Sequence, residues 1–281
     1  MRINDKWCEV ESQMRTSHGL WDALSQLELA SSPKIAEMLK PFVKSITDCY
    51  ECGVEVPTLP CKRETTKDIR VAALFLKRLL NDLRATWNLL LLGYTSQAGS
   101  VAAAAFENAL AISCVAGSID RAEQFLKSKT GLPWSVAKLC RMQTSQTKEA
   151  ENYWKVLYSQ YEWLCKVKHS TVPSALHDAF SVSLTGSEFI VMAAPDTRKE
   201  DLPSKAFILS ITILKVTEAI ERFALARELD IASQNVVMWQ KRIDSIPINL
   251  DAAVDPIMIK PLPFTYDGRM LQKDKKENEE I

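Results

Sequence analysis

Side chains able to do chemistry are scarce in this 281-residue chain, which holds three histidines and seven cysteines. What matters is which of them can meet an acid or a base. Glu107 stands in the middle of Val101-Ala102-Ala103-Ala104-Ala105-Phe106-Glu107-Asn108-Ala109-Leu110-Ala111-Ile112, a helical pattern apolar on nearly every side. A carboxylate there loses much of its hydration and needs a partner or a proton. His169 closes the run Tyr161-Glu162-Trp163-Leu164-Cys165-Lys166-Val167-Lys168-His169 and shares a helical stripe with Tyr158, Glu162 and Cys165. Glu162 lies about 10 Å back along such a helix, too far for a direct hydrogen bond. A partner must come from another helix, and Glu107 is the acid most deeply set in apolar sequence. Together Glu107 and His169 have the chemistry of a general acid and base, or of a carboxylate orienting an imidazole. They are the candidate catalytic residues, and Tyr158 and Lys168 on the same helix as His169 are the candidates for holding a ligand. The plainer reading is a buried polar contact tying two helices together.

The second constellation is Cys49-Tyr50-Glu51-Cys52-Gly53 followed by Cys61. Two thiolates at this spacing, with a glycine to let the backbone turn, suit half of a zinc knuckle. The other half is incomplete, because Cys8 and His18 stand at no recognised spacing. Cys49, Cys52 and Cys61 are therefore weak metal candidates, the expectation is free thiols with no metal, and no cofactor is expected. A redox role would want a βαβ pattern around the pair, and none surrounds it. His18 and His177 read as exposed or capping residues. No Gly-rich phosphate loop, nucleophile elbow, His-Glu-x-x-His or EF-hand spacing is present.

The elements that must position these residues read as helices. Residues 1–53 predict an N-terminal helical hairpin, with helices over roughly 17–30 and 33–52; Ser32 and Pro33 start the second, Pro41 kinks it and Gly53 stops it. Pro57 and Pro60 make 54–64 a connector. The main helical bundle spans 65–245. It opens on a capping-box-like Thr65 and Asp68, after which Ile69, Ala73, Leu76, Leu80, Leu83, Trp87, Leu90 and Tyr94 recur at steps of three and four. That broad apolar stripe favours packing within the chain over a dimer seam. Ser96–Ala116 is the next helix, ended by Gly117; Ser118 caps a short one through Lys127; another short one starts at Trp134; a long one covers about 147–168. Around Thr185-Gly186 the period changes to an alternating, strand-like one, which predicts a small β-hairpin. Pro203 and Ser204 open a last long helix and a shorter one covers 232–244. Residues 246–281 read as an extended arm with a disordered charged tail, whose run from Gln272 to Glu280 lacks apolar residues. The fold class is thus mainly α, a helical bundle with a small β-hairpin insertion.

An Ala-rich helix with a central Glu, then Tyr-x-x-Leu before a His at the end of a later helix, then a Pro, a hairpin and a closing apolar helix, resembles uncharacterised bacterial all-helical families distantly similar to the HEPN superfamily. The resemblance covers roughly 65–230. It implies a helical fold, a role in a bacterial defence or stress system and, as the alternative function, a HEPN-like hydrolase (a ribonuclease) centred on His169. HEPN ribonucleases carry an Arg a few residues before the catalytic His. Here that window holds Glu162, Trp163 and Leu164 and no Arg, so the cation that would stabilise a phosphate is missing. What carries over is the helical fold and His169 itself.

Thirty-five basic residues balance thirty-five acidic ones, so net charge does not indicate nucleic acid as a partner. The longest apolar run, Val101 to Ala116, is shorter than the roughly 20 residues a spanning helix needs, so no membrane is expected. The N-terminus has charges throughout and does not resemble a signal peptide. A cytoplasmic helical binding or interaction protein is the reading that fits, with a protein partner or a homodimer as its counterpart.

Overall fold

A computed structural model describes residues 20–128, 131–144, 150–168, 182–185, 188–191, 195, 197 and 199–257. The chain is mainly helical. One hydrophobic core runs from Ile35 to Ala253, so the N-terminal helices and the later bundle share an interior.

Helix α1, Leu20–Leu39, continues through Pro33 rather than starting there. Proline removes one hydrogen bond to the carbonyl four residues back. That carbonyl belongs to Leu29, which is 74% exposed, so water can take the place of the lost donor. The break falls at Pro41, inside the 3-10 turn Lys40–Phe42, and α2 follows as Val43–Glu55. Gly53 does not stop α2. It lies within the helix, where a Cβ would come within 2.5 Å of Leu80 and 3.0 Å of Ile220; the glycine is there for close approach of two helices.

α3, Lys67–Leu91, starts one residue later than the expected cap, with Thr66 as N-cap. Its stripe of Ile69, Leu76, Leu80, Leu83 and Leu90 is buried, chiefly against α4, Thr95–Val115. The alanines of α4 explain its central position: small side chains on every face let α3, α6, α7 and α8 all pack close. α4 alone among the described helices is long and apolar enough to cross a membrane, and most of it is buried inside the bundle. It ends at Gly117, which takes φ +90, and Ser118 Oγ accepts from Arg121 N at 3.4 Å to start α5, Ile119–Lys127. α6 is Val136–Thr144 and α7 is Ala150–Lys168. Strands Val182–Thr185 and Glu188–Val191 pair antiparallel, Val182 opposite Val191 and Thr185 opposite Glu188.

α8, Leu202–Arg227, begins with Pro203 in its first turn. Its N-terminal end is anchored to α4: Thr95 Oγ1 donates to Asp201 at 2.5 Å, and Asp201 also pairs with the fully buried Lys205. α9, Gln234–Val254, runs past Pro247. The expected helix end near 244 and the arm starting at 246 are thereby corrected. Ile243, Ile246, Leu250 and Ala253 keep a buried stripe going against α2, and that packing outweighs the roughly 3 kcal/mol an internal proline costs. The charged tail lies outside the described residues.

The 54–64 connector is stitched down rather than loose. Lys62 N donates to Glu228 O (2.9 Å), Asp230 N to Pro60 O (2.9 Å), and Cys61 forms an antiparallel bridge with Leu229. Arg227, buried, donates to Val56 O and contacts Cys61 Sγ at 3.0 Å.

Candidate functional site

Glu107 sits half-buried on α4, and its Oε1 accepts a 2.6 Å hydrogen bond from Tyr161 Oη of α7. Burial, then hydrogen bonds to Cys165 and Glu107, push the Tyr161 hydroxyl well above the usual range, so it remains a donor. Among the described residues Tyr161 is the hydrogen-bond partner of Glu107. It belongs to a row of half-buried rings along α7 that starts against the buried Phe106 of α4: Phe106 to Tyr161 at 5.7 Å, Tyr161 to Tyr158 at 6.3 Å, Tyr158 to Trp154 at 6.5 Å, with the Arg141 guanidinium 4.1 Å over Trp154. Tyr158 is thus one ring removed from the tyrosine that meets Glu107. His169, His18 and His177 lie outside the described residues, as does the side chain of Lys168.

The cysteines do not converge. Cys49 and Cys52 are buried one turn apart on α2. Burial pushes the Cys49 thiol up to about 12, against a contact with the Thr217 hydroxyl at 3.5 Å. Burial also raises Cys52, whose Sγ accepts from Arg242 Nε at 3.2 Å. Cys61 is occupied by Arg227 and by the Arg63 carbonyl at 3.5 Å. Among the described residues no group of three or more His, Cys, Asp or Glu is placed to hold a metal ion.

An open cleft lies elsewhere. From Ser204 to Thr217 most of α8 is buried, whereas from Glu218 onward one face is uncovered. That face forms the floor of an open cleft of about 770 Å³ between the α6–α7 edge and the start of α9. Gln143 and Tyr153 stand on one wall; Val236, Trp239 and Gln240 stand on the other. Trp239 is fixed by donating Nε1–H to Cys52 O at 3.0 Å. Leu225 on the floor is 68% exposed and Ile231 at the rim 77%.

Two carboxylates on that floor differ in their surroundings. Glu218 accepts from Lys215 Nζ (2.6 Å), Gln143 Nε2 (2.9 Å) and Tyr153 Oη (3.5 Å). Lys215 is 3% exposed and lies 5.5 Å from the Phe106 ring, linking the cleft to the Tyr161 row. Glu221, one turn on, has neither hydrogen bond nor ion pair among the described residues. Burial raises it above the usual carboxylate range, and Asp244 and Glu218 push the same way; Arg222 opposes weakly. At the rim Glu228 takes φ +54, a left-handed conformation that costs a non-glycine residue about 1 kcal/mol. Sequence reasoning missed this cleft. The acids at 218, 221 and 228 look like any polar face of a helix.

No protein-family model, curated protein or solved structure matches the chain.

Proposed function

We propose that this chain is a cytoplasmic helical binding module that docks a partner protein through the cleft on the last three turns of α8. The proposal includes its finer architecture, a helical bundle carrying the 182–191 strand pair as an insertion, and, through its resemblance to HEPN-related families, a place in a bacterial defence or stress system. One observation carries it. α8 is a core helix that loses its cover halfway along; its uncovered face presents Leu225 to water, with Ile231 at the rim, beside a carboxylate that has no hydrogen bond or ion pair among the described residues. Clustered apolar side chains rimmed by polar ones mark interaction surfaces.

The test is site-directed photo-crosslinking in cells. A crosslinker at Leu225 should give one discrete adduct that Ile231→Asp removes. The same crosslinker at Leu74, 67% exposed on α3, should give none. Adducts of equal yield from both positions, or none from Leu225, would overturn the reading.

The alternative, a HEPN-like hydrolase centred on His169, is favoured by the Tyr161–Glu107 hydrogen bond, which puts a carboxylate against the helix that leads to residue 169. Wild type compared with His169→Ala on mixed RNA, with chelator present, decides it. Cleavage that disappears in the variant would replace the binding module with the hydrolase; none is expected.

A further inference from the structure

We infer that the occupant of the α8 cleft is a short amphipathic helix of another protein, carrying lysine or arginine along the edge that meets Glu218 and Glu221. The inference rests on the binding-module reading and adds to it the chemistry of the partner.

Shape comes first. Glu218, Glu221, Leu225 and Glu228 follow each other at steps of three and four along α8, so the open floor is a straight strip about 15 Å long. Helical walls flank it on both sides: α6 and α7 through Gln143 and Tyr153, α9 through Val236 and Trp239. A trough of this kind, floored and walled by helices, has the geometry of a bundle with one helix missing. A helix of about three turns matches the strip in length, and helix-in-groove docking reads its partner by anchors at the same three-and-four spacing.

Charge comes second. Among the described residues the floor and rim hold three carboxylates, Glu218, Glu221 and Glu228, against one guanidinium, Arg222. Asp244 adds a further negative charge near Glu221. Lys215 already serves Glu218. Among the described residues Glu221 is left as the half-buried charge with no hydrogen bond or ion pair, next to apolar anchors. A charge-assisted hydrogen bond from an incoming Lys or Arg satisfies it. An anionic partner, nucleic acid included, would add like charge to a partly desolvated site.

One other occupant fits less well. A second copy docked face to face would set each Glu221 against the same acids of its mate, since a two-fold interface pairs a patch with itself.

The probe is a fluorescein-labelled helical peptide with leucines on one stripe and lysines flanking it. Its controls are the same peptide with every Lys changed to Glu, and the Lys peptide with a central proline that breaks the helix. Binding is followed by fluorescence anisotropy to the full chain, wild type, E221K, L225D and, as a surface control, L74D. The Leu/Lys helix should bind saturably. E221K should weaken it at least tenfold, L225D should abolish it and L74D should leave it unchanged; both control peptides should bind at least tenfold more weakly. A Leu/Glu helix that binds as tightly as the Leu/Lys helix, and still responds to L225D, would overturn the cationic partner while leaving the docking cleft standing. Binding indifferent to L225D would overturn both. Dimerisation in sedimentation that L225D removes would make a second copy the occupant and overturn the inference likewise.

Discussion

Asp68 and Glu221 are both acids on long helices of the same bundle, and their surroundings are opposite. Asp68 is fully buried and both its oxygens are used: it accepts from the Thr66 hydroxyl at 2.5 Å, from Gly117 N at 2.9 Å and from the Arg63 guanidinium at 3.2 Å. Burial works to raise its carboxyl, but those hydrogen bonds and the Arg63 charge outweigh it and hold the group below the usual range. The result ties the start of α3 to the end of α4. Arg63 also donates to Ala226 O at 2.9 Å and so extends the tie to the end of α8. Glu221 has the same chemistry and, among the described residues, no hydrogen bond or ion pair. A fold that completes the one site and leaves the other open separates a structural carboxylate from one available for binding.

The largest expected effect is at the completed site. Asp68→Ala should cost about 3 kcal/mol in urea unfolding, because it takes the acceptor from Arg63 Nη2 and from the Gly117 N–H. A loss below about 1 kcal/mol would mean the tie holds little, and the contrast with Glu221 would collapse. Arg227→Met should cost about 2 kcal/mol by releasing Val56 and Cys61 of the connector. If that substitution left stability unchanged, the 54–64 segment would be held by its apolar residues alone.

The open site should respond with the other sign. Glu221→Gln should stabilise the free protein by roughly 0.5 kcal/mol at neutral pH, a small figure because the half-exposed side chain is screened by solvent. pH sharpens the comparison. Asp68 is depressed in the fold, so its contribution is present above the carboxyl's unfolded value and is lost as pH falls through the folded value. Glu221 is raised, so its charge opposes folding at neutral pH and that opposition disappears as pH falls through its folded value towards the unfolded one. The melting-temperature gain of Glu221→Gln should therefore shrink to nothing on acidification. A gain that did not vary with pH would show that the charge is not its cause.

What was legible in the sequence was what depends on local period. The stripes of α3 and α8, the Ala-rich α4 and the Ser118 cap all follow from spacing that a helix must satisfy wherever it lies. Prolines misled in two ways: Pro247 sits inside a helix because the stripe on either side of it continues to be buried, and Pro33 because its lost hydrogen bond falls at exposed Leu29, where water can replace it. Glu107 was recognisable as a desolvated acid, but its partner was not, since which tyrosine of α7 reaches it depends on how α4 and α7 cross. The cleft was illegible for the same reason in stronger form. Nothing distinguishes Glu221 in sequence from Arg222 or Glu218 beside it; what sets it apart is which helices fail to cover it, a property of the whole arrangement.

The central claim is that Glu221 is an acid left unpaired for an incoming cation, and its own titration tests that most directly. Side-chain carboxyl NMR should follow Glu221 in the free protein and in the presence of saturating Leu/Lys helix. The free carboxyl should titrate above the ordinary glutamate range and fall to or below that range once the peptide is bound. A Glu221 that titrates normally in the free protein, or one that the peptide leaves unmoved, would contradict the account.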